Sequence, residues 1–178
     1  MMCRLTHRGL LVVIPEATYM FAVAGLNLSL AGLAGLVATL RRGSAGQFSA
    51  MDRFRLREIV EFSFANALFA LAVVPMSTTI GSSETAVRIL SASVIAYQVA
   101  FVFVLVRRQM ARGLPIGRGW AVFIGLLNFL IVLAAGAGII WATVAAYQWL
   151  LLLLLARPMV AFVVVLASFE HPGDDPSD

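Results

Sequence analysis

The sequence predicts an all-α polytopic transmembrane helical bundle of about five spans, and three observations predict it. The 178 residues are 61% hydrophobic and 12% charged, with a mean hydropathy of +0.95, against about 45–50% apolar and about 25% charged in soluble domains. The apolar residues gather in five blocks, each of about twenty residues or more, the length a helix needs to cross a bilayer. No block alternates with period two, so barrel strands of about ten alternating residues do not fit.

The blocks run from Ile14 to Leu40, Glu58 to Thr79, Glu84 to Val106, Gly119 to Ala142 and Ala145 to Ser168. They form a single transmembrane domain over residues 14–169, between an N-terminal tail, 1–13, and an acidic tail, 170–178, of disordered composition. The opening MMCRLTHRGLLVVIPE resembles a secretory signal only superficially. Its apolar run stops at Pro15 and no small-residue cleavage site follows, so retention is expected.

In the first block, GLNLSLAGLAGL places Gly25 four residues before Ser29 and Ala31 four before Gly35. Such strips of small residues let helix backbones approach closely in lipid, so Gly32 and Gly35 are expected to tolerate nothing large, and Asn27 beside the strip can hydrogen-bond across it. The second block follows Ser49 and Asp52, which have the spacing of a capping box, and Arg53, Arg55 and Arg57 are expected at headgroup level, as in an ordinary positive-inside loop. Before the third block, Ser82 or Ser83 can cap a helix that starts with Glu84 and has Arg88 one turn on.

Two hairpins share fragments. Asn66, Leu68, Leu71 and Ala72 match Asn128, Leu130, Leu133 and Ala134, while Tyr97, Gln98 and Arg107 match Tyr147, Gln148 and Arg157. A true repeat would move the last turn back to residues 135–138 and make Pro158 the start of a re-entrant segment. The unequal spacing and the cheapness of Leu and Ala matches favour the simpler topology.

The fifth block contains LLLLLLARPMVAFVVVL, with Arg157 in its middle. A guanidinium at that depth costs about 2.5–3.5 kcal/mol on insertion scales and so needs a partner, water or a route to the interface. Glu61, one turn into the second block, is the expected partner. Glu16 is expected at the opposite rim. Pro158 removes the donor due to Leu154, for which Asn66 or Gln98 could compensate.

The loop containing Arg41, Arg42, Arg53, Arg55 and Arg57 and the loop containing Arg107, Arg108, Arg112 and Arg118 are expected inside, which puts the N-terminus outside and the C-terminus inside. All thirteen basic residues are arginine. Without lysine no Schiff base, Ser-Lys dyad or Walker A phosphate grip can form, and Cys3, the only cysteine, makes no internal disulfide. His7 and His171 lie outside the blocks, so no enzymatic activity, cofactor or metal is expected, and no nucleic-acid partner. The expected partners are the bilayer and either a second copy or another membrane protein, in a bacterial inner membrane. Of two function classes the sequence favours a small channel or transporter with Arg157, Glu61 and Asn66 lining a polar interior and Glu16 at its rim; the alternative is a non-transporting scaffold or accessory subunit in which the same residues hold helices together.

Overall fold

A computed structural model describes residues 8–43, 50–112 and 118–170. They form five α-helices and, among the described residues, no strand: α1 (Arg8–Gly43), α2 (Ala50–Ile80), α3 (Ser83–Arg112), α4 (Arg118–Trp141) and α5 (Val144–Glu170). Each contains a stretch long and apolar enough to cross a membrane: Ala17–Leu40, Arg53–Ile80, Ser83–Arg108, Ala121–Trp141 and Val144–Ala167. The chain is thus an all-helical, multi-pass membrane protein.

These limits fall within three residues of the expected ones, except that the second span starts at Arg53, five residues before Glu58. Arginine and glutamate depress the local hydropathy there, yet they are good helix formers, so the helix runs on through them. Ser49 of the expected capping box lies outside the described residues, as do the side chain of Glu16, His7 and His171.

Two very short turns join helices at one end of the bundle. After α2, Gly81 adopts φ 72°, its N–H donating to the Ser77 carbonyl at 3.0 Å, and Ser82 Oγ accepts the Thr85 N–H at 3.3 Å. Ser82, rather than Ser83, is therefore the cap of α3. After α4, Ala142 takes the left-handed position, φ 50°, its N–H donating to the Gly138 carbonyl at 3.0 Å, and Thr143 Oγ1 caps α5 by accepting the Ala146 N–H at 3.2 Å. The left-handed alanine costs about 1–2 kcal/mol, tolerated because a two-residue connection leaves the helix no other exit. With the turn at Ala142 and Thr143, and Pro158 inside α5, there is no break at residues 135–138 and no re-entrant segment.

The last helix is the hub. α5 packs against all four others, whereas α1 touches only α2 and α5. The face of α1 that packs carries Met20, Ala24, Asn27, Ala31 and Ala34, at alternating spacings of four and three, with Val23 buried beside them. The expected glycine strip is not that face. Gly25, Gly32 and Gly35 are exposed, and a Cβ on any of them would meet nothing within 4 Å. Close approach is achieved by alanines, turned about 100° from the glycines. Where glycine is needed is α4: a Cβ on Gly138 would lie 2.5 Å from Ser91 Oγ of α3.

Two apolar clusters fill the interior. The larger, toward the short turns, includes Met20, Phe62, Val87, Ile131, Tyr147, Leu151 and Leu154. The smaller contains Ala34, Leu56, Ile59, Ala161 and Val165, at the end where α2 begins with Arg53, Arg55 and Arg57, called here the basic end. Large apolar side chains such as Phe21, Leu68, Phe129, Ile140 and Trp149 cover the outside, as expected where lipid replaces water.

Candidate intramembrane polar site

Between the two apolar clusters lies a layer of charged and amide groups contributed by four helices. On α5, Arg157 follows Leu154 of one cluster by three residues and precedes Ala161 of the other by four, so helical periodicity turns it inward with them. On α2, Glu58 precedes Phe62 of the larger cluster by four residues and so shares its face. The pair meets there: Arg157 Nη2 donates to Glu58 Oε1 at 2.6 Å, with side chains only 2% and 8% exposed.

The second terminal nitrogen of the guanidinium is also bonded. Nη1 donates to Asn128 Oδ1 of α4 at 3.0 Å, and the same oxygen accepts Gln98 Nε2 of α3 at 2.7 Å. The Phe62 and Phe101 rings lie 4.6 Å and 4.8 Å from the guanidinium carbon. A desolvated cation over an aromatic face gains about 2 kcal/mol, so the rings offset part of what removal from water costs. Tyr97 completes the aromatic wall, its ring centroid 5.9 Å from that of Phe62 and 5.8 Å from that of Phe101. Arg157 Nε and Gln98 Oε1 have no hydrogen-bond partner.

The expected pairing of Arg157 with Glu61 does not form. Glu61 accepts from Arg57 Nε at 2.6 Å and from Arg108 Nη1 at 3.1 Å, tying α2 to α3 at the basic end with its side chain 35% exposed. Glu61 lies about 60° around α2 from Glu58 and about 100° from Phe62, which turns it toward Arg57 and Arg108. Asn66 is buried but elsewhere, donating to Asn27 Oδ1 of α1 at 3.0 Å, while Asn27 Nδ2 donates to its own Val23 carbonyl at 2.8 Å. Neither Asn66 nor Gln98 compensates for Pro158, because each amide donates to another side chain. The sequence candidates therefore fall into three separate groups: Arg157 in the central layer, Glu61 at the basic end, and Asn66 with Asn27 at the α1–α2 contact.

Glu58 and Asn128 were missed as partners of Arg157, and a signal for Glu58 was present. Glu58, Phe62 and Asn66 stand four apart, a stripe whose ends differ by about 80°, whereas Glu61 and Asn66 differ by about 140°. The stripe is masked in the sequence because Glu58 stands at the expected edge of its span, where a carboxylate reads as an interfacial residue.

A cleft between α2 and α3 reaches this layer from the basic end. It has a volume of about 220 Å³ and is lined by Glu58, Glu61, Arg57, Arg108, Tyr97 and Phe101 among others. The Glu58 carboxylate thus faces Arg157 on one side and the cleft on the other. Chemically, the layer holds one negative and one positive charge that cancel, plus two amides that fix their geometry. Comparison with protein-family models, with curated proteins and with solved structures finds no match for this chain.

Proposed function

We propose that the chain is a non-catalytic, non-transporting membrane scaffold or accessory subunit of a bacterial inner membrane, N-terminus outside and C-terminus inside, with Arg157 as an internal latch between helices. The observation that carries this reading is the enclosure of Arg157: 2% exposed, charge-matched by Glu58, hydrogen-bonded by Asn128 and covered by two rings. A residue that binds and releases a travelling ion must exchange its partners at low cost. Breaking a buried pair instead costs about 3–5 kcal/mol.

The cleft favours a second reading, a small channel or transporter, because it brings the Glu58 carboxylate within reach of the basic end. On this reading Glu58 and Arg157 would be the polar station and Glu61 its rim. Liposome reconstitution separates the two. The latch reading expects no proton, potassium or chloride flux above that of empty liposomes, for the wild-type chain and for Glu58→Leu with Arg157→Leu alike. A wild-type flux that the double substitution abolishes would overturn it and establish transport.

A further inference from the structure

At the basic end, α1 and α2 line a groove of about 520 Å³. Its walls are small or aliphatic: Ala34, Gly35 and Ala38 from α1, Leu56 and Val60 from α2. Its mouth carries Arg53 and Arg57, with Glu61 beside them. Glu61 offsets only part of this charge, because it is shared between Arg57 and, outside the groove, Arg108 of α3; Arg53, Arg57 and Arg108 are three guanidiniums against one carboxylate. The apolar spans of α1 and α2 end at Leu40 and begin at Arg53, so the mouth lies where hydrocarbon gives way to headgroups. Gly35 keeps the groove open, since its missing side chain faces empty space.

We propose that this groove is a binding site for an anionic phospholipid, its phosphodiester at Arg53 and Arg57 and the upper part of an acyl chain along Gly35, Ala38 and Val60. Guanidinium pairs phosphate oxygens in a planar fork, and the aliphatic walls exclude a bare ion, which would gain nothing from them. A choline or ethanolamine headgroup would place an ammonium against the guanidiniums and bind less well. A second copy of the chain is disfavoured on charge, because a two-fold contact through this face would bring two sets of Arg53 and Arg57 together.

The test uses the purified full-length chain in nanodiscs, with phosphatidylglycerol and phosphatidylcholine as probes. Native mass spectrometry counts retained lipid, and thermal melting is followed in each lipid. The wild type should retain phosphatidylglycerol over phosphatidylcholine and melt higher in its presence. Arg53→Gln, an exposed position outside both apolar clusters, should weaken retention about fivefold, the value of one juxtamembrane arginine. Gly35→Leu should remove selective retention while leaving the melting temperature in pure phosphatidylcholine unchanged. Selective retention surviving Gly35→Leu would overturn the proposal, the arginines then attracting headgroups diffusely. It would equally be overturned if millimolar inorganic phosphate displaced the lipid, or if the wild type were a dimer that Gly35→Leu dissociates.

Discussion

Arg157 of α5 and Glu58 of α2 stand 99 positions apart in sequence and 2.6 Å apart in space, with the two rings of Phe62 and Phe101 against the guanidinium. Removing one member strands a charge in a water-poor layer; removing both leaves a shape that leucines can fill. Arg157→Leu alone should lower stability by about 3–5 kcal/mol, and Glu58→Leu by a similar amount, while the double substitution should recover most of the loss. A thermal-melting cycle in detergent measures the coupling, and strict additivity would mean that the pair contributes nothing as a pair.

Glu61 serves as the internal control. It touches Arg57 and Arg108 but not Arg157, and its ion pairs are partly exposed, where such contacts contribute about 0–1 kcal/mol. Glu61→Gln should therefore cost little and should add to Arg157→Leu within about 0.5 kcal/mol. Strong coupling between these two positions in the same assay would show that the latch is assigned to the wrong carboxylate.

Gly138 and Gly35 should respond in opposite ways to the same change. At Gly138 a Cβ would fall 2.5 Å from Ser91 Oγ and 3.3 Å from Ser91 Cβ, so Gly138→Leu should overpack the α3–α4 contact at a cost of about 1–3 kcal/mol. Trimming the neighbour by Ser91→Gly should recover part of it. Gly35→Leu in zwitterionic lipid should leave the melting temperature where it was. Equal effects at the two sites would contradict the helix orientations described above.

The buried amide contact between Asn66 and Asn27 is the modest case. Asn66→Leu should destabilise by about 0.6 kcal/mol, and by no more than about 1.7 kcal/mol, the range found for hydrogen bonds between membrane helices. Asn27→Leu in the same background should add little further through this bond. A loss of several kcal/mol would mean that Asn66, whose Oδ1 has no partner, is held by more than Asn27.

Orientation can be read with fusions. A periplasmic reporter joined after Gly81 should be active and one joined after Gly113 silent, because the arginine-rich loops are expected on the inside. The opposite pattern would invert the proposed orientation.

What was legible in the sequence was the bilayer's demand. Hydrophobic length located all five helices because each must satisfy its backbone internally over the same thickness, and the short polar breaks at Gly81 and Thr143 marked the turns. Which face of each helix looks inward was harder to read. A membrane helix is apolar all round, so the inward face of α1 is distinguished only by small size and by Asn27, and four exposed leucines, Leu26, Leu28, Leu33 and Leu36, carry no sign of which way they point. Arg157 was recognisable as a residue needing a partner because charge is rare there. Its partner was not, since Glu58 and Glu61 differ by three residues and by only about 60° around α2, a difference that the position of Phe62 resolves.

Because α5 is the helix on which the other four converge, and the last of the five to leave the ribosome, the assembly order has a built-in gap. Until α5 enters the bilayer, Glu58 lacks its counterion, and Asn128 has only Gln98 for company. The four-helix intermediate therefore carries a carboxylate without its partner, a feature that invites retention by the insertion machinery or removal by membrane proteases. A chain that stalls before Val144 should be shorter-lived in the cell than the full chain, because it lacks the Arg157–Glu58 pair.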